Sequence, residues 1–166
     1  GGKEKRLCVD YRSVNQRNKP LRYPLPNLKG ILSRLRGNHK FATLDLRKGY
    51  HQVRLAPESQ YLSAFVTEDG QYEFTRVPFG FQGAPPYFQK ALAELVLAGL
   101  VGVICEVYID DIVVFATTEE QLAQRVQLVM ERLQEYRLRL NASKCVFGSS
   151  EVEYLGHVVS AAGVCL

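Results

Sequence analysis

The sequence of 166 residues predicts an α+β domain built around an antiparallel sheet. Two observations favour this fold class. Short β-branched runs separated by tight turns are typical of hairpins, while other segments carry apolar residues at helical spacing. The two kinds of segment follow one another without the strict alternation that a parallel sheet requires. With 46% hydrophobic residues and no internal repeat or linker, the chain can bury the core of one domain.

The first 40 residues are predicted to hold a short strand, an extended stretch and a helix. The run Leu-Cys-Val-Asp-Tyr at 7–11 is typical of a strand. Three prolines exclude a helix over residues 18–26. A helix that ends at Gly37 is predicted from the apolar stripe of Leu28, Ile31, Leu32 and Leu35.

The middle of the chain predicts a strand, a hairpin and a second helix. Residues 41–46 are typical of a strand and run into a basic turn, Arg47-Lys-Gly49. Residues 62–68 and 71–77 predict a hairpin joined at Asp69-Gly70. Two prolines fit the first turn of a helix that reaches Gly99, with an apolar stripe of Phe88, Leu92, Leu95 and Val96.

The last third predicts two strands, the longest helix and a closing hairpin. The β-branched runs 103–109 and 112–116 flank two aspartates. Thr117 and Glu120 predict a capping box. It opens a helix whose apolar stripe is Leu122, Val126, Val129, Leu133, Tyr136 and Leu140. Residues 152–159 close the chain as a strand pair.

Charge and cysteine spacing bound the class of function. Residues 1–41 hold 11 Lys/Arg against 2 acids, and the remainder holds 10 against 15, which gives the net charge of +4. This asymmetry suggests a polyanion along one side and metal cations at the other, with a merely soluble basic segment as the alternative. The four cysteines lack zinc or disulfide spacing, which favours reduced thiols in an intracellular protein. No apolar run approaches the roughly 18 residues of a membrane span. The ends of the sequence suggest a piece of a longer protein.

Asp110 and Asp111 stand side by side in the most apolar run of the sequence. Burying adjacent carboxylates without a partner costs several kcal/mol, so an exposed hairpin tip is expected. Two carboxylates at such a tip suit Mg²⁺, which prefers hard oxygen ligands. Asp45, a lone acid at the end of an apolar strand, would complete a two-metal site with ions about 3.5–4 Å apart. An ordinary strand-end acid is the alternative for Asp45.

Seven motifs, in order, resemble the fingers–palm region of reverse transcriptases, most closely the gypsy type of long-terminal-repeat retrotransposons. They are Cys8-Val-Asp-Tyr-Arg-Ser-Val-Asn15; Tyr23-Pro-Leu-Pro26; Leu44-Asp-Leu-Arg-Lys-Gly-Tyr-His-Gln52; Val77-Pro-Phe-Gly-Phe81 with Ala84-Pro85 and Phe88-Gln89; Tyr108-Ile-Asp-Asp111; Ser143-Lys-Cys145 with Phe147-Gly148; and Tyr154-Leu-Gly-His157. The resemblance implies a right-hand polymerase palm with part of the fingers. Residues of about 1–40 and 57–80 would be fingers-like and 41–56 and 81–166 palm, without outer fingers, thumb, connection or RNase H.

The resemblance also implies an RNA-directed DNA polymerase that adds deoxynucleotides to a primer 3′-hydroxyl during retrotransposon replication. Asp45, Asp110 and Asp111, with the Leu46 carbonyl, would hold two Mg²⁺ ions, for which Mn²⁺ is a substitute. Lys144 would give a proton to the departing pyrophosphate, a solvated lysine being the alternative. The incoming nucleotide would contact Arg6, Arg47, Lys48, Gly49, Tyr50, Phe79 and Gly80. Template and primer would contact Arg12, Asn15, Pro85, Gln89, Tyr108, Tyr154, Leu155, Gly156 and His157.

Two of these positions bear on nucleotide choice. Tyr50 resembles the bulky residue that excludes a 2′-hydroxyl by its volume, and a packed core aromatic is the alternative. Phe79 stands where retroviral polymerases place Gln, as is usual for the gypsy type. The backbone of residues 47–50 is expected to line the phosphate pocket.

The partners implied by the resemblance are a template–primer duplex of RNA or DNA, deoxynucleoside triphosphates and the rest of a Pol polyprotein (thumb, RNase H and integrase). A homodimer of the full enzyme is expected, and no membrane. The implied location is a cytoplasmic virus-like particle, and the nucleus after reverse transcription. Two alternatives stay open. A viral RNA-dependent RNA polymerase is disfavoured by Tyr-Ile-Asp-Asp and by Tyr50, and a catalytically silent nucleic-acid-binding remnant is disfavoured by the intact aspartates.

Overall fold

The computed structural model describes residues 8–19 and 21–165. Its helices are α1 (Arg12–Arg17), α2 (Leu28–Leu35), α3 (Ala84–Ala91), which continues as a π-helical turn over Leu92–Val96, and α4 (Glu119–Glu135). Its strands are β1 (Lys40–Asp45), β2 (Phe65–Thr67), β3 (Gly70–Tyr72), β4 (Cys105–Tyr108), β5 (Asp111–Ala116), β6 (Val146–Ser149), β7 (Glu151–Tyr154), β8 (His157–Ser160) and β9 (Gly163–Cys165). Short 3₁₀ segments cover Gly49–Gln52, Pro57–Ser63 and Ala142–Lys144.

A four-stranded antiparallel sheet in the order β4-β5-β1-β6 forms the centre of the fold. β1 pairs with β5 without a break, from Lys40 opposite Ala116 to Asp45 opposite Asp111. β2 and β3 form a separate hairpin, and β7, β8 and β9 form a small antiparallel sheet. The predicted α+β class with an antiparallel sheet is confirmed.

The central sheet is buried on both faces. Because alternate residues of a strand point to opposite faces, β5 contributes Ile112 and Val114 to one core and Val113 to another. The first core also contains Phe88 and Leu133 and other side chains of α3 and α4, and the second is built with α2 and the β7–β8 hairpin. Burial on both faces explains why residues 112–116 form an unbroken apolar run.

The start of the chain differs from its prediction. Residues 8–11 form no strand, and residue 7 lies outside the described residues. Helix α1, which the sequence did not predict, begins at Arg12 because the Asp10 carboxylate accepts the Arg12 backbone N–H at 3.0 Å. Tyr11 is buried against the ring of Phe81, with 4.5 Å between ring centroids.

Helix α4 begins one residue later than predicted and ends earlier than its stripe. Thr118, and not Thr117, is the N-cap, and its hydroxyl accepts the Gln121 N–H at 3.2 Å. Thr117 instead donates its N–H to the Gln121 side chain at 3.1 Å. The helix ends at Glu135, so the predicted stripe residues Tyr136 and Leu140 lie beyond it, and Tyr136 is exposed.

The β2–β3 hairpin is shorter than predicted, and its turn is shifted by one residue. Thr67 pairs with Gly70, so the turn residues are Glu68 and Asp69. Ser63 shortens the ladder because it lies in a 3₁₀ segment, where its hydroxyl accepts the Phe74 N–H at 2.8 Å. The other predicted elements are confirmed in kind, although Leu95 of the predicted stripe is exposed. In the described part of the chain, no helix has the length and apolar character needed to cross a bilayer.

Candidate active site

Three carboxylates meet at one end of the central sheet. Asp45 is the last residue of β1 and lies directly opposite Asp111, the first residue of β5. Asp110 precedes it in the two-residue turn that joins β4 to β5, where Tyr108 pairs with Asp111. The predicted placement of Asp45, Asp110 and Asp111 at one sheet edge is confirmed. The antiparallel register explains it, since the end of one strand meets the start of the next. The sequence also predicted that their carboxylates share the reach of metal ions, and the described side chains do not cluster closely enough for that.

The carboxylates face two sides of this edge. Asp45 and Asp111 line a cleft of about 200 Å³ together with Lys144 and Tyr154. The Lys144 ammonium lies 3.9 Å from Asp45 Oδ2, within reach of a weak ion pair. Asp110 lies against Gly49, where a Cβ atom would come within 2.9 Å of Asp110 Oδ2. A glycine at position 49 therefore leaves the space that the Asp110 carboxylate occupies.

Burial and mutual repulsion act on the two adjacent aspartates. Partial burial raises the pKa of Asp110, and the nearby Asp45 carboxylate raises it further while Lys144 opposes the rise. Burial likewise raises the pKa of Asp111, with Asp110 and Asp45 as the next causes. For both residues, burial is a larger cause of the raised pKa than the repulsion between like charges. Both effects favour a cation beside the pair.

The carboxylate oxygens at this edge suit a hard divalent cation, although the side chains alone do not form a complete metal-binding site. Among the described residues, no three His, Cys, Asp or Glu side chains cluster closely enough to hold a metal ion. Mg²⁺ commonly takes only one or two protein carboxylates and completes its shell with water and substrate phosphates. The Leu46 carbonyl accepts the Gly49 N–H at 3.3 Å and keeps a second lone pair. The carboxylates therefore suit a metal ion that completes its shell with water or phosphate oxygens.

The backbone of the β4–β5 turn is strained and is held by Gln89. Ile109 has a φ of 59°, a conformation that is rare for a β-branched residue. The Gln89 side chain, only 1% exposed, donates from Nε2 to the Val107 carbonyl at 3.2 Å. Its Oε1 accepts the Ile109 N–H at 2.5 Å. The Gln89 amide is therefore buried and bonded to the turn, and its expected contact with a template strand stays a prediction.

Tyr154 supports the same turn from the other face of the sheet. Its side chain is 3% exposed, and its hydroxyl donates to the Asp111 carbonyl at 3.2 Å. The Tyr154 hydroxyl is therefore used within the chain, and the expected primer contact of this residue stays a prediction. The following turn, Leu155–Gly156, has positive φ at both residues, 52° and 75°. His157 lies with Nδ1 3.0 Å from the Leu155 carbonyl. Leu155, Gly156 and His157 are all more accessible to solvent than Tyr154.

The remaining predicted template residues are exposed or half-buried. Asn15 donates from its amide to the Gly80 carbonyl at 2.8 Å and accepts the Gln82 N–H at 3.0 Å, so it fixes this loop. Arg12 is exposed and paired with Asp10. Pro85 lies in the first turn of α3, and Tyr108 ends β4 half-buried. The predicted nucleotide residue Arg6 lies outside the described residues.

The basic turn after β1 has a tight backbone. Lys48 and Gly49 have positive φ values of 57° and 30°. The Arg47 N–H donates to the Arg139 carbonyl at 2.9 Å, and the Gly49 N–H is used by Leu46. These two N–H groups bond within the chain, and the expected lining of a phosphate pocket by the backbone of residues 47–50 stays a prediction. The exposed side chains of Arg47 and Lys48 still place positive charge beside the carboxylates.

Tyr50 lies between the carboxylates and the core. Its ring packs edge-to-face on Phe79 and Phe88, with centroid distances of 5.8 Å and 5.7 Å. Burial raises the pKa of Tyr50, and the charges of Asp110 and Asp111 add to the rise. The ring is therefore close to the carboxylates and packed against core residues at the same time. Gly80, with a φ of 96°, passes close to Tyr11, whose ring a Cβ would approach at 3.4 Å.

Two acidic residues near the site were missed from the sequence. Glu153 lines the cleft with Asp45 and Asp111. The only signal in the sequence was that it lies two residues before Leu155, a predicted site residue. Glu106, 1% exposed, pairs with Arg34 of α2, whose Nη2 lies 3.1 Å from Oε2. In the sequence, the position of Glu106 within the apolar run 103–109 was the signal that it needs a buried partner. The ion pair fixes β4 against α2.

Comparison with known proteins identifies the family. The sequence profile described as "Reverse transcriptase (RNA-dependent DNA polymerase)" matches residues 2–159. The chain belongs to the reverse transcriptase family. It is 39% identical over 164 residues to the retrovirus-related Pol polyprotein from transposon 297 of Drosophila melanogaster, covering 99% of this chain and 15% of that protein. It is also 39% identical to the Pol polyprotein from transposon gypsy of the same organism, over 98% of this chain and 16% of the relative.

Solved structures of reverse transcriptases share the fold. The foamy viral protease-reverse transcriptase in complex with RNA/DNA hybrid has a TM-score of 0.87 at 28% identity, covering 96% of this chain and 21% of that chain. The same viral protein in complex with dsDNA also has a TM-score of 0.87, at 27% identity over 99% of this chain and 35% of that one. This chain therefore spans a minor part of the proteins it resembles.

Proposed function

We propose that this chain is the polymerase core of an RNA-directed DNA polymerase from a gypsy-type retrotransposon. The reaction is the transfer of deoxynucleotides to a primer 3′-hydroxyl on an RNA or DNA template. The observation that carries this proposal is the cross-strand pair of Asp45 and Asp111, with Asp110 on the adjoining turn, in a chain of the reverse transcriptase family. Phosphoryl transfer asks the protein mainly for alignment and charge stabilisation, which three convergent carboxylates can organise.

Asp45, Asp110 and Asp111, with the Leu46 carbonyl, would hold two Mg²⁺ ions or Mn²⁺ in their place. Bound there, the metal supplies Lewis-acid stabilisation of the charge on the reacting phosphate and primer oxygen. The raised pKa values of Asp110 and Asp111 support this assignment, because a cation offsets the repulsion and burial that disfavour their charged forms.

The chain's own side chains position the nucleotide and supply a proton to the leaving group. Arg47 and Lys48 place exposed positive charge beside the carboxylates, where a triphosphate is attracted. Lys144, 3.9 Å from Asp45, is held at the site and can give its proton to the departing pyrophosphate. The Tyr50 ring, fixed by Phe79 and Phe88, would lie under the sugar and exclude a 2′-hydroxyl by its volume.

The proposed partners are a template–primer duplex, deoxynucleoside triphosphates and the remainder of a Pol polyprotein. The nucleic-acid complexes of the foamy viral relatives and the small share of the transposon polyproteins that this chain covers support these partners. Arg12, Pro85, Tyr108 and the turn Leu155–His157 are the proposed duplex contacts. We also place the enzyme in a cytoplasmic virus-like particle and later the nucleus, and expect the full enzyme to dimerise.

Extension of a labelled primer on RNA and DNA templates tests the proposal. The chain, with the polyprotein sequence that naturally flanks it, should extend the primer with deoxynucleotides only when Mg²⁺ or Mn²⁺ is present. Asp111→Asn should abolish extension. Equal use of ribonucleotides would instead identify an RNA polymerase, and binding of the duplex without extension would identify a silent nucleic-acid-binding remnant.

A further inference from the structure

We propose that Gln89 and Tyr154 are positioning residues that hold the Tyr108–Asp111 turn in the conformation that presents its carboxylates. They act on the turn's backbone from opposite faces of the central sheet. The inference rests on the proposed polymerase function, and it concerns side chains that the sequence assigned to template and primer contacts.

The turn needs outside support because its own sequence does not favour its shape. Ile109 occupies a φ of 59° with a branched side chain, whereas two-residue hairpin turns with positive φ normally use Gly, Asn or Asp at that position. Such strained residues persist only where the surrounding structure fixes them. Adjacent carboxylates at 110 and 111 add repulsion at the same place.

Gln89 binds the start of the turn through both Nε2 and Oε1 of its side-chain amide. One end donates to the carbonyl of Val107, and the other accepts the N–H of Ile109, so the two bonds bracket Tyr108. This pattern needs a donor and an acceptor on one side chain. A carboxylate or a hydrocarbon at position 89 could not make both bonds. Since Gln89 is 1% exposed within the α3 layer, water cannot replace it easily.

Tyr154 holds the end of the turn from the opposite layer. Its hydroxyl donates to the carbonyl of Asp111, and its ring belongs to the core formed by α2 and the β7–β8 hairpin. The next residue, Leu155, lines the same cleft as Asp45 and Asp111. The phenol therefore joins the carboxylate turn to the turn of the neighbouring hairpin.

Removing the Tyr154 hydroxyl should affect the site more than the fold. Tyr154→Phe keeps the ring and leaves the Asp111 carbonyl without this donor, so the turn can relax away from its present shape. We expect Mn²⁺ affinity and kcat each to fall about tenfold, with little change in the KM for nucleotide.

Tyr11→Phe is the matched control. Tyr11 is also 3% exposed, and its hydroxyl also donates to a backbone carbonyl, that of Ser63 at 2.9 Å, away from the turn. Both variants should lose similar thermal stability because both lose one buried hydrogen bond. Only Tyr154→Phe should weaken Mn²⁺ binding, measured on the folded chain by electron paramagnetic resonance with Mn²⁺ alone.

Gln89→Met gives a second variant of similar length that loses both amide bonds. It should reduce Mn²⁺ affinity and kcat more than Tyr154→Phe does, and if it fails to fold the tyrosine pair still decides. Equal Mn²⁺ affinity and equal rates for Tyr154→Phe and Tyr11→Phe, in a parent chain that binds Mn²⁺ and extends primers, would overturn this inference alone. A parent that neither binds Mn²⁺ nor extends a primer would overturn the proposed function and the inference with it.

Discussion

Two hairpin turns of this chain share a plan and differ in what holds them. Tyr108-Ile-Asp-Asp111 and Tyr154-Leu-Gly-His157 each close a two-residue turn, with Tyr108 paired to Asp111 and Tyr154 paired to His157. In both, the first turn residue is a bulky aliphatic with positive φ, 59° at Ile109 and 52° at Leu155. Ile109 and Leu155 therefore occupy the same unfavourable backbone region, whereas the second turn residue has positive φ only in the second hairpin, at Gly156.

The two turns are stabilised by different contacts. In the second hairpin, Gly156 accepts a φ of 75° without a side chain to strain, and His157 reaches the Leu155 carbonyl inside the same hairpin. In the first, the stabilising bonds come from Gln89, 20 residues away, and from Tyr154, 43 residues away. The second turn is encoded locally. The first depends on the assembled fold, which allows Ile109 at a position of positive φ where a turn would normally place Gly or Asn.

The largest expected effect is the loss of primer extension when a carboxylate of the first turn is removed. Asp110→Asn should lower primer extension by about a thousandfold or more, because it removes a carboxylate that would hold the metal ion that stabilises the developing negative charge. The unfolding free energy without metal should stay the same or rise, since one of several repelling charges is gone. Rates from single-turnover extension and melting in the presence of a chelator test both parts. A melting temperature several degrees lower would contradict this account of the turn.

Gly49→Ala should disturb the first turn without changing any carboxylate. A Cβ at position 49 would lie 2.9 Å from Asp110 Oδ2, so the carboxylate must move. We expect extension to fall about tenfold to a hundredfold and the unfolding free energy to fall by about 1 kcal/mol.

Gly99→Ala is the matched control for that substitution. Gly99 has a φ of 78° and no atom within 4 Å of an added Cβ, so it carries backbone strain without a clash. It should cost similar stability and leave the extension rate unchanged. Equal rates in the two variants would show that the space beside Asp110 does not govern its position.

The parts of the fold and site that could be read from the sequence are those set by local pattern. Strand alternation and apolar spacing predicted β1, β4, β5 and α4, and a strand ending in Asp45 could be matched with a hairpin carrying Asp110 and Asp111. Antiparallel pairing then brings these residues together, which the register of β1 and β5 confirms.

The parts that could not be read depend on side chains that meet only in the folded state. Gln89, Tyr154 and Asn15 carry polar groups in recognisable motifs, so contacts with nucleic acid were the natural reading. In the structure all three bond to backbone groups of distant segments, Gln89 and Tyr154 from buried positions and Asn15 from a half-buried one. A sequence motif indicates which residue type occupies a position. The burial of that residue in the folded chain indicates whether it can contact a ligand or instead supports a neighbouring residue that does.

Tyr50→Val tests the aromatic neighbour of the first turn. If the ring lies under the sugar, its removal should raise ribonucleotide use relative to deoxyribonucleotide use by about tenfold, since exclusion by volume is worth a few kcal/mol at most. If Tyr50 serves mainly as packing on Phe79 and Phe88, a cavity should cost roughly 2–4 kcal/mol with selectivity unchanged. Measuring selectivity and melting temperature on one variant separates the two roles.

The smallest effect expected is a pH dependence that belongs to the first turn. Burial raises the pKa of Asp111 in the folded chain above its ordinary value of 3.8, so the folded state binds more protons than the unfolded state between the two pKa values. The contribution of Asp111 to the unfolding free energy is therefore greatest at low pH and is lost as pH rises through the folded pKa. Asp111→Asn should be more stable than the parent at pH 7 in a chelator, by less than about 1 kcal/mol because solvent screens a part-exposed carboxylate. This advantage should disappear below the unfolded pKa, where both states are protonated, and Mg²⁺ should reduce it at pH 7 by stabilising the parent. Urea unfolding across pH 3–7 measures the difference, and an advantage that grows toward low pH would reverse the sign and refute the assignment.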